Sequence, residues 1–232
     1  MAQLHTSSNH LEEEITRQHQ FLIMYWSMFV MVSNLFESGI VFGIAFFISS
    51  VLSYTSYRMI SVAESGVSGE KKAANQLLSL PHSYHVYSNL TINYGSGSSE
   101  VDYIIVGPKG VFVLEVKNYK GQIFGKEQDY NWKQYKTTQK GFVCRNDFYN
   151  PVKQVSTHVW RLSKSLREEG VTAWVKGVVH FTNQEALLSV TTKQTPVLKP
   201  DDSFASFLNS YKPKKELTNS EIEVICRHIQ SL

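Results

Sequence analysis

Cysteine is nearly absent: Cys144 and Cys226 stand alone, far apart, with no second Cys or His at metal-ligand spacing. That excludes a disulfide framework and a thiolate zinc site, and both residues read as free thiols of a reducing compartment. An excess of charge is missing too. The 23 Lys and Arg against 20 Asp and Glu leave a formal net charge of +3, too mild to argue for or against a polyanionic partner. Charge of either sign is scarce from Phe21 to Tyr57, where Glu37 is the one residue charged at neutral pH, and becomes frequent after Arg58. This shift marks a membrane segment followed by a soluble domain.

Ser38 to Tyr57 supplies about the 20 uncharged residues needed to cross roughly 30 Å of hydrocarbon. Phe21 to Phe36 is equally apolar but would span only roughly 24 Å at about 1.5 Å per residue. A single helix over both is too long for a bilayer and buries Glu37, at a cost of about 3 kcal/mol. A break between Asn34 and Gly39 gives a helical hairpin instead, with Arg17 before it and Arg58, Lys71 and Lys72 after it on one, cytoplasmic, side. One span with an interfacial segment is the alternative. The apolar region is too long for a signal peptide, follows the acidic run Glu12 to Glu14 and lacks a small-residue cleavage site, so the tether is expected to persist. The expected plan is a tail at 1–20 whose His5, His10 and His19 are solvated, and a membrane region at 21–60 with helices 21–36 and 38–57. A linker at 61–67, a folded domain at 68–190 and a helical extension at 191–232 follow.

In the soluble part, Ser68 can cap a helix beginning Gly69-Glu70, with Ala74, Leu77 and Leu78 on the stripe that Glu70 shares. A carboxylate there is either a ligand aimed at a site under the helix or a wet first-turn residue favouring the dipole. Spacing leaves both open. Pro81 stops the helix, and Tyr84 to Asn93 reads as a strand followed by the loop Gly95 to Ser98. Glu100 to Val106, the turn Gly107-Pro108-Lys109-Gly110 and Val111 to Lys117 form a β-hairpin. With a period of two, Glu115 and Lys117 share a face with Val111 and Val113. If Gly107 pairs with Gly110, Asp102 falls opposite Glu115, with Cβ atoms about 5 Å apart.

Two carboxylates so opposed repel unless a cation lies between them, and oxygen ligands of this kind select Mg2+ or Mn2+. Lys117 could then polarise a water or stabilise charge on a phosphate. An isolated Glu-x-Lys is ordinarily a solvated pair. Here the strand is almost wholly apolar (VFVLEVK), and a buried face carrying both charges requires a reason. Gly121 to Gly125 and Tyr130 to Tyr135 suggest further strands. Asn150-Pro151 starts a helix with Val152, Val155, Val159, Leu162 and Leu166 as its apolar stripe, and Gly170 ends it. Gln154 and His158 lie beside that stripe, the usual place of boundary polar groups. Trp174 to Phe181 is another strand, with His180 packed rather than catalytic. Asp202 to Tyr211 and Glu221 to Gln230 are helices, the second opened by the capping box Thr218-x-x-Glu221.

The succession Gly69-Glu70, Glu100-Val101-Asp102, Val106 to Val113, Glu115-Val116-Lys117-Asn118, Gly121 and Asn150-Pro151-x-x-Gln154 resembles the nuclease-related domain family, NERD, over roughly Ser68 to Phe181. The resemblance implies the PD-(D/E)XK nuclease superfamily, an α/β restriction-endonuclease-like core in which a mixed central sheet is flanked by helices. It implies that Asp102, Glu115 and Glu70 bind Mg2+ or Mn2+, that Lys117 is the active-site lysine and that Gln154 is the polar residue of the later helix. Glu100 and His158 are then neighbours of the site. The implied function is a membrane-anchored nuclease acting on nucleic acid, with DNA favoured over RNA. A membrane-tethered module that binds nucleic acid or protein without cutting is the alternative.

Overall fold

The computed structural model describes residues 2–6, 9–36, 38–95, 97–138 and 140–232. Glu37, at the expected break, and Ser96, in the expected loop, lie outside the described residues. The chain divides into two units, one of Ser8–Ser68 and one of Met1–Ser7 with Gly69–Leu232.

In the first unit, α1 (His10–Leu35) and the start of α2 (Gly39–Leu77) run antiparallel. Phe29 packs edge-on against Phe42 and Phe46, at centroid distances of 5.2 and 5.8 Å, and Ser49 Oγ donates to the Tyr25 carbonyl at 3.3 Å. The outward side chains, among them Ile23, Met31, Ile40 and Phe47, are apolar and largely exposed. Helix α1 begins at His10 rather than Phe21. Asn9 caps it by accepting from the Leu11 N–H, and Glu12 and Glu13 favour its N-terminal dipole. Among the described residues, α2 is the one helix long and apolar enough to cross a membrane.

The expected linker at 61–67 and the helix start at Ser68 are corrected, because α2 runs unbroken from Gly39 through both. Gly66 and Gly69 are points of close approach within it. A Cβ on Gly66 would sit 2.7 Å from Leu11 Cδ1, and one on Gly69 would sit 2.6 Å from Asn118 Cβ. Glu70 is therefore mid-helix and 7% exposed, so the wet first-turn reading fails.

The larger unit is mixed α/β, with two mixed sheets. The first has the order β1 (Gln3–Thr6), β2 (His85–Tyr94), β3 (Gly97–Gly107), β4 (Gly110–Lys117), β8 (Val175–Phe181), β10 (Val197–Leu198). Pairs β1–β2, β4–β8 and β8–β10 are parallel, and β2–β3–β4 is antiparallel. The second has the order β7 (Val143–Tyr149), β6 (Asn131–Thr137), β5 (Gly121–Lys126), β9 (Ala186–Thr191). Apolar residues alternate along β4 as its sequence requires. Val111 and Val113 join a cluster with α3 (Pro151–Glu168) and α5 (Asn219–Gln230). Phe112, Leu114 and Val116 join a second cluster with the end of α2 and with α4 (Phe204–Ser210).

Two further expectations about the ends are corrected. Residues 3–6 are not tail but a parallel edge strand, with His5 stacked on Tyr87 at 4.7 Å. Residues 191–232 are not an appended extension. Phe204 and Leu208 of α4 fill one sheet face and Ile222, Ile225 and Ile229 of α5 the other. The capping box at Thr218 and Glu221 forms as the sequence indicates.

Asn150 places α3. Its Oδ1 accepts from the Val152 N–H at 2.9 Å, and its Nδ2 donates to the carbonyls of Lys126, Glu127 and Asp129. The side chain, fully buried, thus joins the helix start to the β5–β6 turn. Asn150→Ala removes the cap and orphans buried acceptors, with an expected loss of about 3 kcal/mol. Thermal melting of the full chain followed by circular dichroism checks this, and an unchanged midpoint contradicts it.

Candidate active site

Strand β4 delivers two charges to one buried place. Gly107 pairs with Gly110 as the turn requires, which fixes the register through Tyr103 with Leu114. On the next turn of the pleat, Glu115 and Lys117 point to the α3 side, following Val111 and Val113. Lys117 Nζ lies 2.7 Å from Glu115 Oε1 and donates to Gln154 Oε1 of α3 at 3.1 Å. His158, one helical turn beyond Gln154, brings Nε2 to 3.3 Å from Glu115 Oε2, without hydrogen-bond geometry. Glu115 is 1% exposed and His158 is buried with it.

Asp102 arrives differently from the cross-strand pairing expected of it. The β3–β4 ladder stops at Tyr103–Leu114, one pair short of Asp102–Glu115. Asp102 Oδ2 instead accepts from the Val116 N–H at 2.7 Å, satisfying a donor that the diverging strand leaves behind. The same position is unpaired across the sheet as well. The β2–β3 ladder also skips Asn89 opposite Asp102, and Asn89 has φ +55°. Tyr87 and then Leu90 and Ile92 face the α3 cluster, so the alternation reverses at this left-handed residue.

Glu70 completes the group from α2. Its backbone carbonyl accepts from the Tyr103 hydroxyl at 2.9 Å, and its charge acts on both Asp102 and Tyr103. The close approach at Gly69, against Asn118 and Thr182 beyond the ends of β4 and β8, brings it there. All five residues singled out from the sequence, Glu70, Asp102, Glu115, Lys117 and Gln154, thus gather at the carboxyl end of β4. His158 joins them. Glu100 does not; it sits exposed opposite Thr91. His180 neighbours Val116 across the β4–β8 pair, buried near Lys199 and Asp202, and burial lowers its pKa. Tyr103, which fastens Glu70 to β3, was not identified as a site residue from the sequence, where it reads as one more aromatic of a strand.

The electrostatics separate the two acids. Burial pushes Asp102 well above the ordinary carboxylate range, and the Glu115 charge adds to the push. Burial would raise Glu115 too, but Lys117 and His158 hold it below its usual value. Burial would lower Lys117, which the charges of Glu115 and Asp102 hold above its usual value. Glu115 Oε2 has no hydrogen-bond partner, an orphaned buried acceptor of the kind that a bound cation satisfies. Among the described residues no three His, Cys, Asp or Glu side chains cluster closely enough to cage an ion. Mg2+ and Mn2+ use one or two protein carboxylates and take water and phosphate for the rest, and Asp102 and Glu115 are two carboxylates close enough for each to feel the other's charge. The donor set fits such an ion.

The sequence signature of the nuclease-related domain family, NERD, matches residues 65–182, a little over half of the chain and the span holding every residue of the cluster. An uncharacterized protein of Bacillus anthracis is 32% identical over 163 residues, covering 69% of this chain and 73% of that protein. No solved structure matches significantly.

The raised Asp102 pKa has a signed consequence. A group whose folded pKa lies above its unfolded value adds stability at low pH that is lost as pH rises through the folded pKa. The metal-free chain is therefore expected to lose melting temperature above about pH 4 on account of Asp102. Asp102→Asn, which keeps an acceptor for Val116 N–H, is expected to melt higher than the parent by a margin that grows with pH. Mn2+ is expected to raise the parent's midpoint and not the variant's. Parallel pH profiles for the two proteins, with equal Mn2+ responses, contradict the assignment.

Proposed function

Because this chain belongs to the nuclease-related domain family, we propose that its buried cluster hydrolyses nucleic-acid phosphodiester bonds, in a domain of PD-(D/E)XK type. The observation that carries the reading is the pairing of Glu115 and Lys117 under α3, with Glu115 almost fully buried and one of its oxygens lacking a hydrogen-bond partner. A buried ion pair is a poor stabilising device, since desolvation of both charges offsets their attraction. A functional cause is the better account of it.

Asp102 and Glu115 are the residues that would hold Mg2+ or Mn2+, with Glu70 adding negative charge from α2. The bound ion would lower the pKa of a water and neutralise charge on the phosphate. The protein's own residues do the rest. Glu115 and Gln154 take two of the three N–H groups of Lys117, which fixes the ammonium and leaves one donor for a phosphate oxygen. Tyr103 holds the backbone at Glu70, and Val116 N–H holds Asp102 in place. The cover of α3 and the apolar sheet keeps the dielectric low, which strengthens each of these interactions.

The same reading places the chain at a membrane, with the domain on the cytoplasmic side. The apolar length of α2 and the exposed apolar faces of α1 and α2 support it, because such faces are stable against hydrocarbon. A module that binds nucleic acid or protein without cutting is the competing reading.

The full chain in nonionic detergent is expected to cut at least one of a set of single-stranded, duplex and branched DNA and RNA substrates with Mn2+ and not with EDTA. Lys117→Ala is expected to lower the rate by about 100-fold or more. Equal rates for parent and variant, or binding with no cutting of any substrate, would sink the mechanism. Separately, the expressed chain should stay with membranes through alkaline carbonate extraction; release into the supernatant rules out a spanning helix.

A further inference from the structure

The second sheet has a face that the cluster does not use. Ile123, Trp132 and Phe148 bury one side of it against α3 and its neighbours. The register then puts alternate residues on the other side. Tyr135 is paired with Gln122 and with Arg145, Lys133 with Phe124 and with Asp147, and Tyr149 with Asn131. Each of three adjacent strands, β5, β6 and β7, thus presents one aromatic ring, Phe124, Tyr135 and Tyr149. Phe124 and Tyr149 are 39% and 42% exposed.

Charge on this face is mixed, with three cations, Lys126, Lys133 and Arg145, against Asp147. Lys126 and Lys133 are exposed cations, and Asp147, opposite Lys133, is held by Arg145 through two contacts of 2.7 Å, which leaves the face net cationic. The sheet also adjoins the cluster in the chain. Strand β5 follows Lys117 after the connection Asn118–Lys120, and β9 follows β8 after Thr182–Glu185. Thr182 N–H donates to the Lys117 carbonyl at 3.0 Å, and Gly121 N–H to the Glu185 carbonyl at 2.9 Å.

We propose that this outer face binds single-stranded nucleic acid, with Phe124, Tyr135 and Tyr149 stacking on unpaired bases and Lys126 and Lys133 on phosphates. The occupant follows from the chemistry. Rings interleaved with cations match a polymer of flat bases and anionic links, and duplexes hide the base faces that rings need. A purely apolar partner leaves the lysines unpaired, and a second copy of the face sets lysine against lysine. The inference deepens the nuclease reading by naming its substrate class, and rests on it for the fate of the bound strand.

Binding and cleavage are measured separately so that the two ideas fail separately. Fluorescence anisotropy of a dye-labelled oligothymidylate is followed with the full chain in nonionic detergent and EDTA, against a duplex of the same length. The single strand is expected to bind at least about tenfold more tightly than the duplex, and Tyr149→Ala to weaken it about tenfold. Lys133→Glu, an exposed change with little bearing on folding, is expected to weaken it and to lower the salt slope by about one. With Mn2+, both variants are expected to lose cleavage rate at subsaturating substrate through a raised KM. Absence of binding, equal affinity for duplex, or unchanged affinity in both variants overturns the proposal. So does light scattering that shows the variants dissociating a parent dimer while oligonucleotide affinity is unchanged. Loss of cleavage in the parent with single-strand binding intact overturns the nuclease reading and leaves the platform standing.

Discussion

The buried contact between Lys117 and Glu115 sets the terms for the structure around it. Two charges taken out of water at the end of a strand need partners on every side. Gln154 and His158 supply them from above, which requires α3 to cross the sheet, and Asn150 fixes where that helix begins. The parallel strand β8 closes the flank, and Asp102 ties off the amide of Val116 between the two charges. The mixed topology of the six-stranded sheet is what lets one strand end under a helix on one face and beside α2 on the other.

Much of this was legible in the sequence where local chemistry has a fixed geometry. The Gly107-to-Gly110 turn set the hairpin register, and a period of two then put Glu115 and Lys117 on one face. Asn150-Pro151 and the Thr218–Glu221 box marked helix starts because caps depend on nearest neighbours in the chain. Where the cause was remote, the sequence was silent. The reversal of alternation at Asn89 comes from one positive φ, and no pattern of apolar residues announces it. Residues 3–6 are too few to show a strand's alternation. Ser68 looked like a helix cap, yet it lies inside α2, because a local capping preference yields to a helix that continues through it.

The polar residues followed the same division. Glu70 had two open readings from spacing, and the continuity of α2 decided between them. His158 lay beside the apolar stripe and is nonetheless buried, because the charged end of β4 projects beneath it. Resemblance to the family had placed Gln154 near the site without a mechanism; the hydrogen bond to Lys117 provides one. Sheet residues such as Tyr149 carried no signal until the register showed which of them share a face.

Family membership brings the word nuclease, and the cluster brings an acceptor atom that no hydrogen bond satisfies. These meet in one measurement, a Mn2+ titration of the full chain by electron paramagnetic resonance, comparing the parent with Glu115→Gln. The account predicts that the parent removes Mn2+ from the free-ion signal at a defined site and that the variant, isosteric but uncharged, does not. Equal binding by the two proteins contradicts it.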